Sequence, residues 1–448
     1  MTSQSMSRVD HAWLRMDNPA NLIMVNSVMW TDQPVDDVAM RAVLEERMVD
    51  QFPRFTQRPD ASFGLLSHGH WVDDDDFDLD RHLVYVTLDP PGDTRTLQQY
   101  VGSQQNLPID ASHPMWEVHV ISGYQQGSAV LFRIHHSIAD GMALARLLVS
   151  LTDEPAEHHF APEASASSSG VRTQVGRLLT ESVGTLRHPS RLLALGSTAA
   201  HDALRLAHVA TLPVKNHDSV LNAEVGRSKL ATWSEPISLD EIKAIGRSAG
   251  CTVNDVMLAA LAGAFRSYLL GRGEEPADVP VLVPVDLRPP DKPLPRELGN
   301  NFGFFFASLP SGIADAGQRL TEAQRRSAEL KGSPEALVTL GVLVGMGSVP
   351  GLVEDLSVDF FVSKASGLVT NVPGPRGPVY FAGAKVDGVI GWVPRAGDMT
   401  FGVAIFSYDG HVTVGVSTDA GVIPDPESLV AAFEDEIASM LVGAADAG

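Results

Sequence analysis

His135-His136-Ser137-Ile138-Ala139-Asp140-Gly141 is the stretch from which the rest of this chain is read. Before it runs Ala129-Val130-Leu131-Phe132-Arg133-Ile134, an apolar segment with the pattern of a strand. After it comes Met142-Ala143-Leu144-Ala145-Arg146-Leu147-Leu148-Val149, with the pattern of a helix. A histidine held at a strand end beside a tight turn can face a cavity rigidly, and its near-neutral pKa lets it accept a proton at cellular pH. Successive strand residues point to opposite faces, so His135 and His136 do not share one task. His136, next to the turn, is the candidate base; His135 is expected to pack or hydrogen-bond structurally. Asp140 and Gly141 complete the constellation as carboxylate and turn. A metal site built from His135, His136 and Asp140 is the chemical rival, but it lacks a further ligand nearby, since His158-His159 falls in a polar linker.

The strand before the motif pairs, on its pattern, with Trp116 to Gly123 around the turn Gln125-Gln126-Gly127. Cross-strand neighbours would then bring Pro114-Met115-Trp116-Glu117 alongside the two histidines. Upstream, Asn21 to Trp30 reads as a strand and Val35 to Gln51 as a helix. The acidic run from Asp73 to Asp76 reads as a solvated loop, because it lacks the turn residues of a calcium loop.

Residues 156–217 break this alternation. Ala164 to Gly170 is a Ser/Ala tract with nothing large to bury, followed by a leucine-bearing helical stretch. Between Val171 and Asn216 six basic residues face only Glu181 and Asp202, in a chain whose net charge is −22. The segment reads as a surface crossover, or as an amphipathic piece that seeks an interface. The α/β pattern resumes from 218, giving an N-terminal domain over 1–155, a basic linker over 156–217 and a C-terminal domain over 218–448. Ser238 is placed to cap one helix, and Thr252 a nearly all-apolar one running to Leu270. Val281 to Val285, Gly402 to Phe406 and His411 to Val416 read as strands.

Composition narrows the function. A net charge of −22 argues against non-specific nucleic-acid binding, and an anionic ligand would need a local basic rim. Cys251 is the only cysteine, which excludes an intrachain disulfide and fits a reducing compartment. Met1 to Asp10 has no apolar core of the kind a signal peptide carries, and no apolar run reaches the roughly 18–20 residues of a spanning helix. A cytoplasmic protein is expected, peripheral to a membrane or lipid droplet if it meets lipid.

Several polar groups sit in apolar or rigid surroundings. Asn254 and Asp255 open the apolar helix, and Asn371 leads into Val372-Pro373-Gly374-Pro375. They read as caps and a turn, or as amide donors to a developing oxyanion. Arg288 reads as a surface charge or as the partner of Asp140. Gly246-Arg247-Ser248-Ala249-Gly250 matches the Gly-x-Ser-x-Gly nucleophile pattern, but Ser248 follows a helical segment and Gly250 reads as a helix-terminating glycine.

Taken in order, these motifs resemble the bacterial wax ester synthase/diacylglycerol acyltransferase family. The resemblance runs over nearly the whole chain. It includes Ser7-Arg8-Val9-Asp10 leading to Trp13, and Pro114-Met115-Trp116-Glu117, where the family usually has Leu at position 115. It continues through His135 to Gly141, Asn254-Asp255-Val256, Leu298-Gly299-Asn300-Asn301-Phe302-Gly303 and Asn371 to Pro375. The heptapeptide is shared with chloramphenicol acetyltransferase-like enzymes and condensation domains.

The resemblance implies two similar α/β domains with mixed sheets, joined by a crossover, with a tunnel between them that reaches the histidine and passes Pro114, Trp116 and Glu117. It implies an acyl-CoA donor as substrate, a long-chain alcohol or diacylglycerol acceptor, and direct transfer with His136 as general base, with neither a metal nor a cofactor. A carrier-protein thioester donor, or a lipid-droplet-binding protein without turnover, are the alternatives. The Gly-rich apolar stretch Leu337 to Met346 reads as a buried helix, a tunnel wall or a lipid contact.

Overall fold

Every residue of the strand Gly127–His135 is buried, because the strand runs through the middle of a sheet. The computed structural model describes residues 3–60, 69–153, 218–288, 293–331, 339 and 364–446. The basic segment 156–217 and, apart from Thr339, the stretch 337–346 lie outside the described residues.

The first sheet is built from β1 (Met24–Thr31), β2 (Leu83–Thr87), β3 (Trp116–Tyr124) and β4 (Gly127–His135). β3 and β4 form the expected hairpin, with Trp116 opposite Ile134, and β2 adds parallel to β3. The second sheet takes β5 (Lys229–Trp233), β6 (Val279–Asp286), β7 (Phe302–Leu309) and β8 (Gly367–Pro373). Then come β9 (Tyr380–Phe381) and β10 (Ala384–Trp392), followed by β11 (Phe401–Tyr408) and β12 (His411–Asp419). The order of the second sheet is β7-β6-β8-β11-β12-β5, with β8 parallel to both β6 and β11. Both sheets are therefore mixed.

β9 and β10 come from the C-terminal half yet belong to the first sheet, whose order is β9-β10-β1-β4-β3-β2. The sheets face each other closely where β10 crosses. A Cβ on Gly415 of β12 would sit 2.7 Å from Ile390 and 2.9 Å from Trp392, so glycine is what permits the approach.

The helices follow their sequence signals. α1 (Arg8–Arg15) is capped by Ser7, whose hydroxyl accepts from the Asp10 amide. α2 (Gly141–Ser150) follows the histidine motif. α3 (Leu239–Ala249) starts at Ser238 and ends at Gly250, whose φ of +65° is the left-handed cap that glycine favours. Ser248 lies inside that helix, so the nucleophile pattern has no strand before it. α4 (Val253–Gly271) is buried along most of its length among β6, β7 and β11 side chains. Among the described residues no single helix is long and apolar enough to cross a membrane; α3 and α4 meet both requirements only as a pair, bent by 95°.

Candidate active site

The chain turns sharply after β4, and three backbone bonds set the turn. The His135 amide donates to the Met115 carbonyl at 2.9 Å and the His136 amide to the Ile23 carbonyl at 2.9 Å. The Gly299 amide donates to the Ile138 carbonyl at 3.1 Å, and Ala139 bridges Gly299 as in a parallel pair. The motif is thus gripped by β1, by the segment before β3 and by a loop from the C-terminal half.

The two histidines separate as strand alternation requires. His135 Nδ1 lies 2.8 Å from Ser137 Oγ and accepts the Ser137 amide at 3.2 Å, so it is tied into its own turn. Burial pushes its pKa down to about 3, with the neighbouring His136 adding to the effect. His136 faces an aromatic box. Its ring centroid is 4.6 Å from that of Trp13 and 5.5 Å from that of Phe302, in a small apolar cluster with Val9 and Ile23. It is 3% exposed. Burial pushes its pKa down to about 4, against the opposing pull of Asp140, its own carbonyl and Asn300. The ring is therefore neutral at cellular pH, the state a general base needs.

Asp140 does not face the imidazole as a proton partner. It caps α2, accepting the Ala143 amide on Oδ1 at 2.9 Å. Its Oδ2 accepts the Asn301 amide at 2.9 Å and the Arg288 guanidinium at 2.5 Å. Arg288 also donates to the Gly299 carbonyl at 2.6 Å. Of the two readings of Arg288, the partner of Asp140 is the observed one. Among the described residues, no three His, Cys, Asp or Glu side chains converge as metal ligands.

Two cavities flank the motif. The apolar one, about 60 Å³, lies between the sheets and is lined by Gly141 and Leu144 of α2, Val25 of β1, Thr370 and Val372 of β8, and Val393. The polar one, about 510 Å³, is lined by Ser7, Asp10, Arg54, Arg288, Asn300 and Asn301.

Of the other sequence candidates, Asp255 takes the capping role read for it, and Pro114, Trp116, Glu117, Asn254 and Asn371 make no described contact with His136. Pro114, Trp116 and Glu117 line neither cavity. Trp116 is fully buried, stacked 4.2 Å from His82, and its indole donates to the Phe55 carbonyl at 2.9 Å. Glu117 neutralises Arg133 at 2.5 Å, a guanidinium only 2% exposed. Strand alternation decides this: Glu117 lies opposite Arg133 in the hairpin, not opposite His136. Asp255 forms a reciprocal cap with Thr252, its Oδ2 accepting the Thr252 amide at 3.0 Å. Asn371 donates to Asn254 Oδ1 at 3.2 Å, and no described contact joins either to His136. Asn371 alternates with the cavity-lining Thr370 and Val372, so it points to the other face of β8.

Four residues at the site had no role assigned from sequence: Asp10, Trp13, Asn300 and Phe302. Their signal was two motifs of the resemblance, Ser7 to Trp13 and Leu298 to Gly303, which lie nearly 300 residues apart and meet only around the imidazole.

Comparison with known proteins identifies the family. The pattern describing the wax ester synthase/diacylglycerol acyltransferase catalytic domain matches residues 6–257, and that of the C-terminal domain of the same family matches 298–441. A Mycobacterium tuberculosis protein named as a probable diacylglycerol O-acyltransferase is 29% identical, over 87% of this chain and 84% of its own length. The solved structure of a wax ester synthase/diacylglycerol acyltransferase from Marinobacter aquaeolei superposes with a TM-score of 0.70 at 21% identity, covering 99% of this chain and all of that one. The starter condensation domain of rhizomide synthetase shares the fold at a TM-score of 0.60 and 14% identity, covering 100% of this chain and 95% of its own. The chain belongs to the wax ester synthase/diacylglycerol acyltransferase family.

Proposed function

We propose that this O-acyltransferase joins the acyl group of a long-chain acyl-CoA to a long-chain alcohol or diacylglycerol, with His136 as general base. The observation that carries the assignment is a buried imidazole held between Trp13 and Phe302 at the turn after β4, with the apolar cavity reaching its motif at Gly141 and the polar cavity reaching its bonded neighbour Asn300, although the ring itself lines neither. In the reaction, His136 takes the proton of the acceptor hydroxyl as its oxygen attacks the thioester carbonyl. A C–O bond forms, the tetrahedral intermediate collapses, and the C–S bond breaks. The departing thiolate takes the proton back from the imidazolium, so the enzyme returns to its starting state. A thiolate is a good leaving group, which makes activation of the hydroxyl the demanding step.

The acyl or alkyl chain is assigned to the apolar slot beside Gly141, which at about 60 Å³ takes only a few carbons as it stands and has to widen to hold a long chain. Asp140 has a structural part: through Arg288 it locks the turn. The reading needs neither a cofactor nor a metal. The enzyme is assigned to the cytoplasmic side of a lipid surface, because acceptor and product are both water-insoluble.

The test is thiol release and ester formation from long-chain acyl-CoA with a fatty alcohol and, separately, with diacylglycerol. His136→Ala should remove about 10²–10⁴-fold of the rate while the fold survives. Full turnover in that variant, or transfer only from a carrier-protein thioester, would overturn the assignment.

A further inference from the structure

Asn300 stands between the buried Asp10 carboxylate and the candidate base. Its amide nitrogen Nδ2 donates to Asp10 Oδ1 at 2.7 Å and to the His136 carbonyl oxygen at 2.8 Å. Its backbone amide donates to the same Asp10 oxygen at 3.2 Å. Asp10 is itself held in the first turn of α1, where its own amide donates to the Ser7 hydroxyl at 3.0 Å. Asp10 is 3% exposed, and burial raises its pKa.

The orientation of the Asn300 amide is fixed by chemistry. The His136 carbonyl can only accept, so the group facing it must be the NH₂. Both amide hydrogens are then committed, and Oδ1 is left as the acceptor. That Oδ1 is buried without a hydrogen-bond partner, and so is His136 Nδ1. Two orphaned buried atoms on residues already bonded to each other call for explanation, since a polar group buried without a partner forfeits its hydrogen bonds to water. The Asn300 side chain and the histidine's own carbonyl both favour a proton on the ring, and closing the gap between the two unpaired atoms would give an Nδ1–H an acceptor in Asn300 Oδ1. Nε2 is then left with the lone pair.

We infer that Asn300, anchored by Asp10, is a positioning residue that holds His136 in place and in the Nδ1–H tautomer, so that Nε2 is the base. The two motifs that sequence left without a role thus have one: Ser7 to Asp10 supplies the anchor and Asn300 the clamp. The inference rests on the proposed function only in naming His136 the base; the clamp stands on the bonds that Asn300 makes to Asp10 and to the His136 carbonyl.

Two measurements on the full-length chain test it. The first is steady-state transfer from long-chain acyl-CoA to a long-chain alcohol, normalised to folded enzyme. Asn300→Ala, and the isosteric Asn300→Asp, should lower kcat about 10–100-fold, with KM for both substrates within about twofold. Asp10→Ala should show a similar loss, and Asp10→Asn, which keeps an acceptor for Asn300, should recover much of it. The second is the ring ¹⁵N spectrum of histidine-labelled protein, assigned with His136→Gln. The wild type should show Nδ1 protonated and Nε2 bare, and Asn300→Ala a mixture. An unchanged kcat, a kcat loss that only follows a falling melting temperature, or a wild-type ring protonated on Nε2 would overturn the inference. Absence of transfer by the wild type would defeat the proposed function instead, and the ring spectrum would still decide the tautomer.

Discussion

Asp140 and Arg288 form a buried ion pair at 2.5 Å that ties the start of α2 to the end of β6, joining the two halves of the chain behind the histidine turn. Asp286 stands 3.5 Å from the same guanidinium as a secondary partner. Breaking a buried pair from one side leaves the other charge without compensation. Arg288→Ala should therefore destabilise the protein by about 3–5 kcal/mol in urea unfolding. Arg288→Lys should also lose stability, because a point charge cannot serve Asp140 and the Gly299 carbonyl together as the guanidinium fork does. Wild-type stability in either variant would show the pair to be dispensable.

The buried histidines give the protein an acid-sensitive window. Both rings bind a proton less readily folded than unfolded, with His136 near 4 and His135 near 3 against an ordinary 6.5. Below about pH 6.5 the unfolded chain takes up more protons, so stability falls as pH falls through that window and is fully present above it. The same depression keeps His136 in its free-base form well below neutrality. The acid limb of kcat/KM should accordingly lie well under pH 6.5. A limb at 6.5 or higher would mean that the working imidazole is not the buried one.

Local pattern carried much of the architecture into the sequence. The hairpin, both helix caps at Ser238 and Thr252, the helix-terminating Gly250 and the separate placement of His135 and His136 all follow from alternation or cap chemistry within a few residues. The pairings that build the site do not. β10 joins β1 across some 360 residues, and Asn300 meets Asp10 across 290. No periodicity records such a meeting; only the co-occurrence of polar motifs hinted at it. Glu117 shows the opposite failure, since a residue close in sequence to the motif's partner strand proved to serve Arg133.

Glu117 separates a tunnel role from a brace. Arg133 is 2% exposed, with Glu117 as its carboxylate partner and the Leu107 carbonyl as a further acceptor. Glu117→Ala should cost about 3–5 kcal/mol of stability by stranding that charge. Among molecules that remain folded, the ranking of acyl-chain lengths should match the wild type. A changed ranking at unchanged stability would restore Glu117 to the substrate path.

Gly141 offers the sharpest test of the apolar slot, because a Cβ there would lie 2.7 Å from Val393 Cγ1, closer than real side chains approach. Both residues line the cavity between the sheets. Gly141→Ala must push Val393 into that space or shift the start of α2, and overpacking of this kind typically costs about 1–3 kcal/mol. If the slot houses a substrate chain, the variant should lose activity on long-chain substrates more than on short ones. Val393→Ala removes the clashing methyl groups, so the double variant should recover long-chain activity beyond the sum of the single effects, an interaction a double-mutant cycle reads directly. Strict additivity, or equal losses at every chain length, would place the substrate chain elsewhere.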